Sequence, residues 1–192
     1  MATQQQRSDT TRQKLLDAFR AAFLARGYEQ TTTQQILMET GLSKGALYHH
    51  FGSKIEIIEA LYDYESRAAI DRVFQRLDKT DPPLMRLKRA YLEWTQTVRA
   101  PDIAQILFEI GPSAIGERRA KDLEEAASNK PIKRLLRDAI EAGEIAPPDE
   151  DLLIALLNAL VAEAALYQLH TGQDPDETLD AAISAIFAQM RP

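Results

Sequence analysis

A chain of 192 residues, 45% hydrophobic and 27% charged, is long enough to bury a substantial core without covalent staples. It has no cysteine, which excludes a disulfide framework and thiolate chemistry and fits a reducing cytoplasm, and the polar start MATQQQRSDTTRQ carries no signal peptide. The net charge of −6 argues at first against a nucleic-acid partner, but residues 1–54 hold seven Lys/Arg against four acids, a net of +3, which leaves −9 for the remainder.

In chain order, residues 1–8 are expected to be a disordered arm, where Arg7 with Arg12 either brushes a phosphate backbone or, the favoured reading, keeps the tail solvated. From about Asp9 to Arg26, the residues Leu15, Leu16, Phe19, Ala22 and Phe23 mark an amphipathic helix that Gly27 closes, with Tyr28 packing after it. The stretch from Thr31 to Lys54, TTTQQILMETGLSKGALYHHFGSK, reads as two short helices and the start of a third. Thr32 and Gln35 have capping-box spacing, Ile36 and Leu37 supply an apolar stripe, Gly41 suits a left-handed helix end, and Ser43 can cap the next helix. There Leu47 and Phe51 share an inward stripe, so Lys44, Gly45, Ala46, Tyr48, His49 and His50 spread over a small, polar surface of the kind a major groove admits. Ser53 and Glu56 repeat the capping box and place Lys54 in the first turn of a helix expected to run to about Lys79.

Asp81-Pro82 starts the next helix, whose apolar face is Leu84, Leu87, Tyr91, Trp94 or Thr95, and Val98. A short helix from Pro101 is expected to end at Gly111-Pro112, and Pro131 is expected to start a new helix capped by Asn129 and ending at Gly143. The segment from Asp151 to Leu169 is the most apolar in the chain. Its uncharged run from Leu152 to Ala162 is too short to span a membrane, which needs about 20 apolar residues. A helix apolar nearly all round must be covered on two sides, and a second copy of the chain is the expected cover. Ala155, Ala159 and Ala162 would permit close approach, with Leu156, Leu160, Ile183 and Phe187 supplying buried area across a four-helix dimer seam. Asp174, Pro175 and Glu177 begin the last helix. No strand alternation appears, so the fold class is all-α.

The catalytic inventory is thin. His49 and His50 are adjacent and cannot chelate one ion, His170 is isolated, and there is no Glu-x-x-His pair, phosphate loop or G-x-S-x-G turn. Glu124 and Glu125 lie in a charge run typical of solvated surface. No cofactor or metal is expected, and a helical-bundle enzyme is the rival reading from another class.

The run from Leu15 to Ile58, with LLDAFRAAFLARGYEQTT and ILMETGLSKGALYHHFGSK, resembles the DNA-binding domain of the TetR family of bacterial transcriptional regulators; the rest resembles the family in helix layout only. The resemblance implies a helix-turn-helix domain at 1–54, a ligand-binding and dimerisation domain at 55–192, and about nine helices in all. By position it brings Thr33, Gln34, Lys44, Gly45, Ala46 and His49 to base edges, and Ser43, Tyr48, His50 and Lys54 to phosphates. Many members carry an aromatic where His49 stands. An inducer pocket is implied too, with Tyr62, Tyr91, Trp94, Phe108 and Tyr167 as candidate lining for an apolar or aromatic effector. The expected protein is then a cytoplasmic homodimeric repressor that leaves a palindromic operator when ligand binds, with an activator or corepressor-dependent regulator as the alternative within the fold.

Overall fold

A computed structural model of the chain describes residues 3–192. Among them are nine helices and no strand: α1 Gln4–Gln30, α2 Thr33–Thr40, α3 Lys44–His50, α4 Lys54–Arg76, α5 Pro83–Thr97, α6 over 101–115, α7 Glu117–Glu141, α8 Glu150–Thr171 and α9 Asp176–Gln189. They form two compact units. The first takes the chain through Glu65 together with Gln105–Leu123, and the second takes Ser66–Ala104 with Glu124–Pro192.

The first unit is built on α1. Leu15, Leu16, Phe19 and Phe23 are fully buried, and Ile36 of α2, Leu47 of α3, Ile57, Ile58 and Leu61 of α4, and Ile106 and Ile110 of α6 close the same core. This shared core carries the compact unit past the boundary expected at Lys54. A half-buried ion pair, Arg20 Nε to the buried Glu65 Oε1 at 2.5 Å, ties α1 to α4. At Gly27 the backbone turns through φ 78°, and Tyr28 then lays its ring 5.5 Å from that of Phe23.

The arm expected at residues 1–8 is instead helical from Gln4. Thr3 accepts from Gln6 N while the Gln6 side chain accepts from Thr3 N, and Gln5 Nε2 donates to Asp9 Oδ1 at 3.0 Å. Met1 and Ala2, the remainder of that arm, lie outside the described residues. The turn is held by capping and side-chain hydrogen bonds rather than by an apolar stripe, so hydrophobic periodicity could not reveal it.

Two expected helix ends are corrected. Gly111-Pro112 does not stop α6: Pro101–Ala104 is α-helical, Gln105–Ile110 widens into π geometry, and Gly111–Ile115 resumes the α form until Gly116 ends it at φ 85°. Pro112 sits in the first turn of the resumed segment, where its missing N–H costs little. Pro131 does not start a helix under an Asn129 cap either; it lies inside α7. Ala127, Ser128, Ile132, Leu135 and Leu136 are buried on both sides of it, and that continuous packing outweighs the hydrogen bond the proline cannot make.

In the second unit α5 packs against α8 and α9, and α8 against α9. Leu87, Leu136, Leu157 and Ile183 are among the fully buried core side chains. The loop before α8 is fixed by Ala146 N donating to Met190 O at 2.7 Å, and Asp149 caps α8 by accepting from Leu152 N.

Gly111 is the tightest approach in the first unit: a β-carbon there would lie 2.3 Å from Tyr62 Cδ2 and 2.8 Å from the Ile106 carbonyl oxygen. Gly111→Ala should therefore lower unfolding stability by about 1–3 kcal/mol in urea titration, against the usual gain for Gly→Ala in a helix.

Candidate nucleic-acid interface

Helices α2 and α3 span 8 and 7 residues, lengths that are not stable in isolation. Each is held at its ends and by one anchor. Thr32 forms a capping box with Gln35, Gly41 closes α2 in the left-handed region at φ 68°, and Ser43 Oγ accepts from Ala46 N at 3.1 Å to open α3. Ile36 is the buried side chain of α2 and Leu47 that of α3. Half of the capping box expected at Ser53 and Glu56 is present, Glu56 N donating to Ser53 Oγ, while the Glu56 carboxylate accepts from Gly52 N instead of Ser53 N.

With the anchors turned inward, the ten sequence-derived candidates fall outside the core. Gln34, Ser43, Lys44, Gly45, Tyr48 and His49 are exposed, and Thr33, Ala46, His50 and Lys54 are half-buried. Lys44 Nζ lies 5.7 Å from the Tyr48 ring centroid, so α3 presents a cation stacked on an aromatic. His49 and His50 meet edge to face at 5.0 Å. Partial burial, then the neighbouring His49 and Arg12, hold the His50 imidazole below its ordinary value against a weaker opposing pull from Asp9, which favours the neutral ring at pH 7. Lys54 Nζ sits 4.0 Å over the Tyr28 ring and 3.5 Å from the Glu29 carbonyl oxygen. Tyr28 is thus the seat of a candidate phosphate ligand, a role invisible in the sequence because the two residues are far apart in the chain. Of the other cations here, Arg20 and Arg26 are paired with Glu65 and Glu39, while Lys14 donates to the Thr40 carbonyl and joins α1 to the end of α2.

The candidate effector residues are divided between the two units. Tyr62 is buried against Gly111 in the first unit, to which Phe108 also belongs, and Tyr167 is exposed on α8 with its hydroxyl on Gln173. Tyr91 and Trp94 share a cavity, bordered also by Ser128, Ile132, Asn158 and Val161, and at about 20 Å³ it has room for water rather than an effector. Burial pushes the Tyr91 phenol upward, and its hydroxyl has no hydrogen-bond partner among the described residues. Tyr62, Tyr91 and Trp94 sit where core packing needs volume, which helical spacing alone does not distinguish from a pocket wall.

The candidate dimer residues divide. On α8, Ala155, Leu156 and Ala159 are exposed and Leu160 and Ala162 half-buried, with Leu152 and Leu156 at 56% and 51% exposure extending an apolar outer face. Ile183 and Phe187 are corrected: at 0% and 4% exposure they belong to the core of the second unit. The regular stripe on α9 is its inward face, and its exposed positions include Ala181, Ala185 and Ala188.

Two short capped helices on a three-helix core, with polar side chains outward, define a helix-turn-helix DNA-binding protein. Residues 15–61 match the family described as bacterial regulatory proteins, tetR family, and residues 84–191 match the tetracyclin repressor-like C-terminal domain. The chain belongs to the TetR family, whose members are transcriptional regulators and not enzymes. Among relatives, the transcriptional regulator TtgR of Pseudomonas putida is 35% identical over 74 residues, 38% of this chain and 35% of TtgR. The transcriptional repressor KstR2 of Mycobacterium tuberculosis is 30% identical over 105 residues, 53% of this chain and 50% of KstR2. The chain therefore spans from about a third to half of these relatives. The nucleoid occlusion factor SlmA of Vibrio atlanticus is 28% identical, covering 86% of this chain and 87% of SlmA. Solved structures share the fold: a TetR-family regulator from Pectobacterium atrosepticum has a TM-score of 0.72 at 23% identity over 98% of this chain and 95% of its own. RolR in complex with resorcinol has a TM-score of 0.73 at 17% identity over 97% of this chain and 90% of its own.

Gly45 has open space around it, with Ser43 Oγ nearest to an added β-carbon at 3.9 Å. Gly45→Ala should stabilise the fold by about 0.5–1 kcal/mol in urea unfolding and yet weaken specific duplex binding, a divergence that marks a backbone-approach position. For Lys54→Ala, binding to specific and random duplexes should fall alike, with the slope of log affinity against log salt reduced by about one. An unchanged slope removes Lys54 from the phosphate contacts.

Proposed function

We propose that the protein is a ligand-responsive repressor that binds a palindromic operator as a homodimer and leaves it when a small molecule binds the second unit. The observation that carries this reading is the reader itself: two short helices whose anchors, Ile36 and Leu47, point inward while every candidate contact residue stays outside the core. Its sequence segment carries +3 against −9 for the rest of the chain, the asymmetry suited to a head that meets phosphate. Thr33, Gln34, Lys44, Gly45, Ala46 and His49 approach base edges, and Ser43, Tyr48, His50 and Lys54 hold the backbone. Lys44 is suited to guanine and Gln34 to adenine. The name of KstR2 as a repressor supports repression, and the resorcinol bound by RolR supports a small apolar or aromatic effector.

One reader touches too few base pairs to be selective, whereas a two-fold pair reaches successive major grooves about 34 Å apart. The apolar outer face of α8 supports the pairing. This helix is long and apolar enough to cross a membrane by length and composition, although Glu150 and Asp151 occupy its first turn and Glu163 interrupts it. We assign its outer face, with Ala155, Leu156, Ala159, Leu160 and Ala162, to a second copy, and give Ala181 and Ala185 of α9 the place first expected for Ile183 and Phe187. Ligand must then favour one separation of the two readers over another by a few kcal/mol. This reading places the protein in the cytoplasm with its DNA.

Selection of bound fragments from random double-stranded DNA tests class, symmetry and site together, and an enriched palindrome is the expected result. Ala159→Glu should give folded monomer in sedimentation and lose specific binding, because an unpaired charge at a dry seam costs several kcal/mol. Monomeric wild-type protein at micromolar concentration would overturn the dimer and the operator symmetry together.

A further inference from the structure

The second unit holds another cavity, of about 210 Å³, where the end of α5 and the start of α6 meet the last turns of α8. Most of its wall is apolar, from Val98, Pro101, Ala104, Ala165 and Leu169. Two of its lining side chains, Arg99 and Gln168, carry buried polar atoms without a partner among the described residues, the Arg99 Nε donor and the Gln168 Oε1 acceptor. An unmet buried donor or acceptor is costly, and here one of each belongs to a residue on the same wall. Arg99 cannot readily swing away, because its Nη2 donates to Asp174 Oδ1 at 2.8 Å and also to Asp176 Oδ1. The Thr95 hydroxyl, also on the wall, is engaged with the Tyr91 carbonyl at 3.0 Å.

These features set the chemistry of an occupant. The volume lies below the usual range of drug-sized pockets, which suits a molecule of about one six-membered ring. One guanidinium facing two carboxylates leaves the polar end net negative, which disfavours an anion. We propose that this cavity binds a small neutral, mostly apolar molecule bearing a single group that both accepts and donates a hydrogen bond, a hydroxyl or primary carboxamide. That group accepts from Arg99 Nε–H and donates to Gln168 Oε1, while the ring or alkyl part lies on Val98, Ala104, Ala165 and Leu169. The assignment rests on the effector-responsive reading above and gives the effector a place and a chemical class that the aromatic set did not.

Calorimetric titration of the purified full-length chain with phenol, toluene and benzoate tests it. Phenol should bind at millimolar concentration or tighter, and toluene, which lacks the hydroxyl, and benzoate, which is anionic, should bind roughly tenfold more weakly or worse. Gln168→Leu should reduce phenol affinity roughly tenfold and close the gap to toluene. Ala165→Phe, which fills the cavity without altering either polar atom, should abolish binding of both and keeps the test open if the first variant does not fold. No phenol binding at millimolar concentration, equal binding of all three probes, or phenol binding indifferent to both variants would overturn the proposal. The two readings fail separately. An enriched palindrome with phenol binding that ignores Gln168 and Ala165 sinks this site and keeps the regulator; the expected phenol behaviour without any enriched duplex sinks the regulator and keeps the binding site.

Discussion

The reader depends on the burial of two side chains. Helices of 8 and 7 residues have too few internal hydrogen bonds to offset the entropy of ordering them, so Ile36 and Leu47 must hold them on α1. Truncating either would cost about 2–5 kcal/mol in a typical core, a large part of the stability of a small unit. Since one fully buried side chain anchors each helix, with Leu37 half-buried beside Ile36 on α2, the outward positions are free of packing duties and can be chosen for DNA. Rigidity and recognition come from the same arrangement: caps at Thr32, Gly41 and Ser43 fix the ends, and the anchors fix rotation about each axis.

The second unit follows a different logic. Its helices are long, and α8 is apolar on faces that its own chain does not cover. Within the unit, volume is filled tightly around Tyr91 and Trp94 and left open near Arg99 and Gln168. Tyr91 and Trp94 fill volume here, while Arg99 and Gln168, each with one unmet polar atom, stand among the small aliphatic residues of the more open wall.

The elements legible in the sequence were those governed by local chemistry. The α1 stripe, the capping spacings at Thr32, Ser43 and Ser53, the left-handed Gly41 and the inward Leu47 all depend on neighbours within one or two turns. Long-range packing was hidden. Pro131 reads as a helix start because its local effect is to break the ladder, and only the burial of Ala127 and Leu135 on either side reverses that. Regular spacing on α9 correctly named a buried face but could not say which partner buries it, so Ile183 and Phe187 read as interface. The contact-residue candidates stayed outside the core because they follow from the anchors, whereas the pocket aromatics scattered because nothing local separates lining from filling. Arg99 and Gln168 carry no motif at all; their significance lies in what fails to meet them in three dimensions.

Gln105–Ile110 is wound more widely than its flanks, and a π turn accommodates one residue more than an α turn does. Each residue in an α-helix advances the phase by about 100°, so the extra residue sets which way everything beyond it faces. Gly111 meets the Tyr62 ring only in that phase. Chain length through this segment is thus a fixed count: removing one residue would restore regular winding, carry the glycine round the helix and swing the flanking side chains into the ring's place. The segment tolerates changes of letter far better than changes of number, and relatives that keep this contact would be expected to align here without gaps.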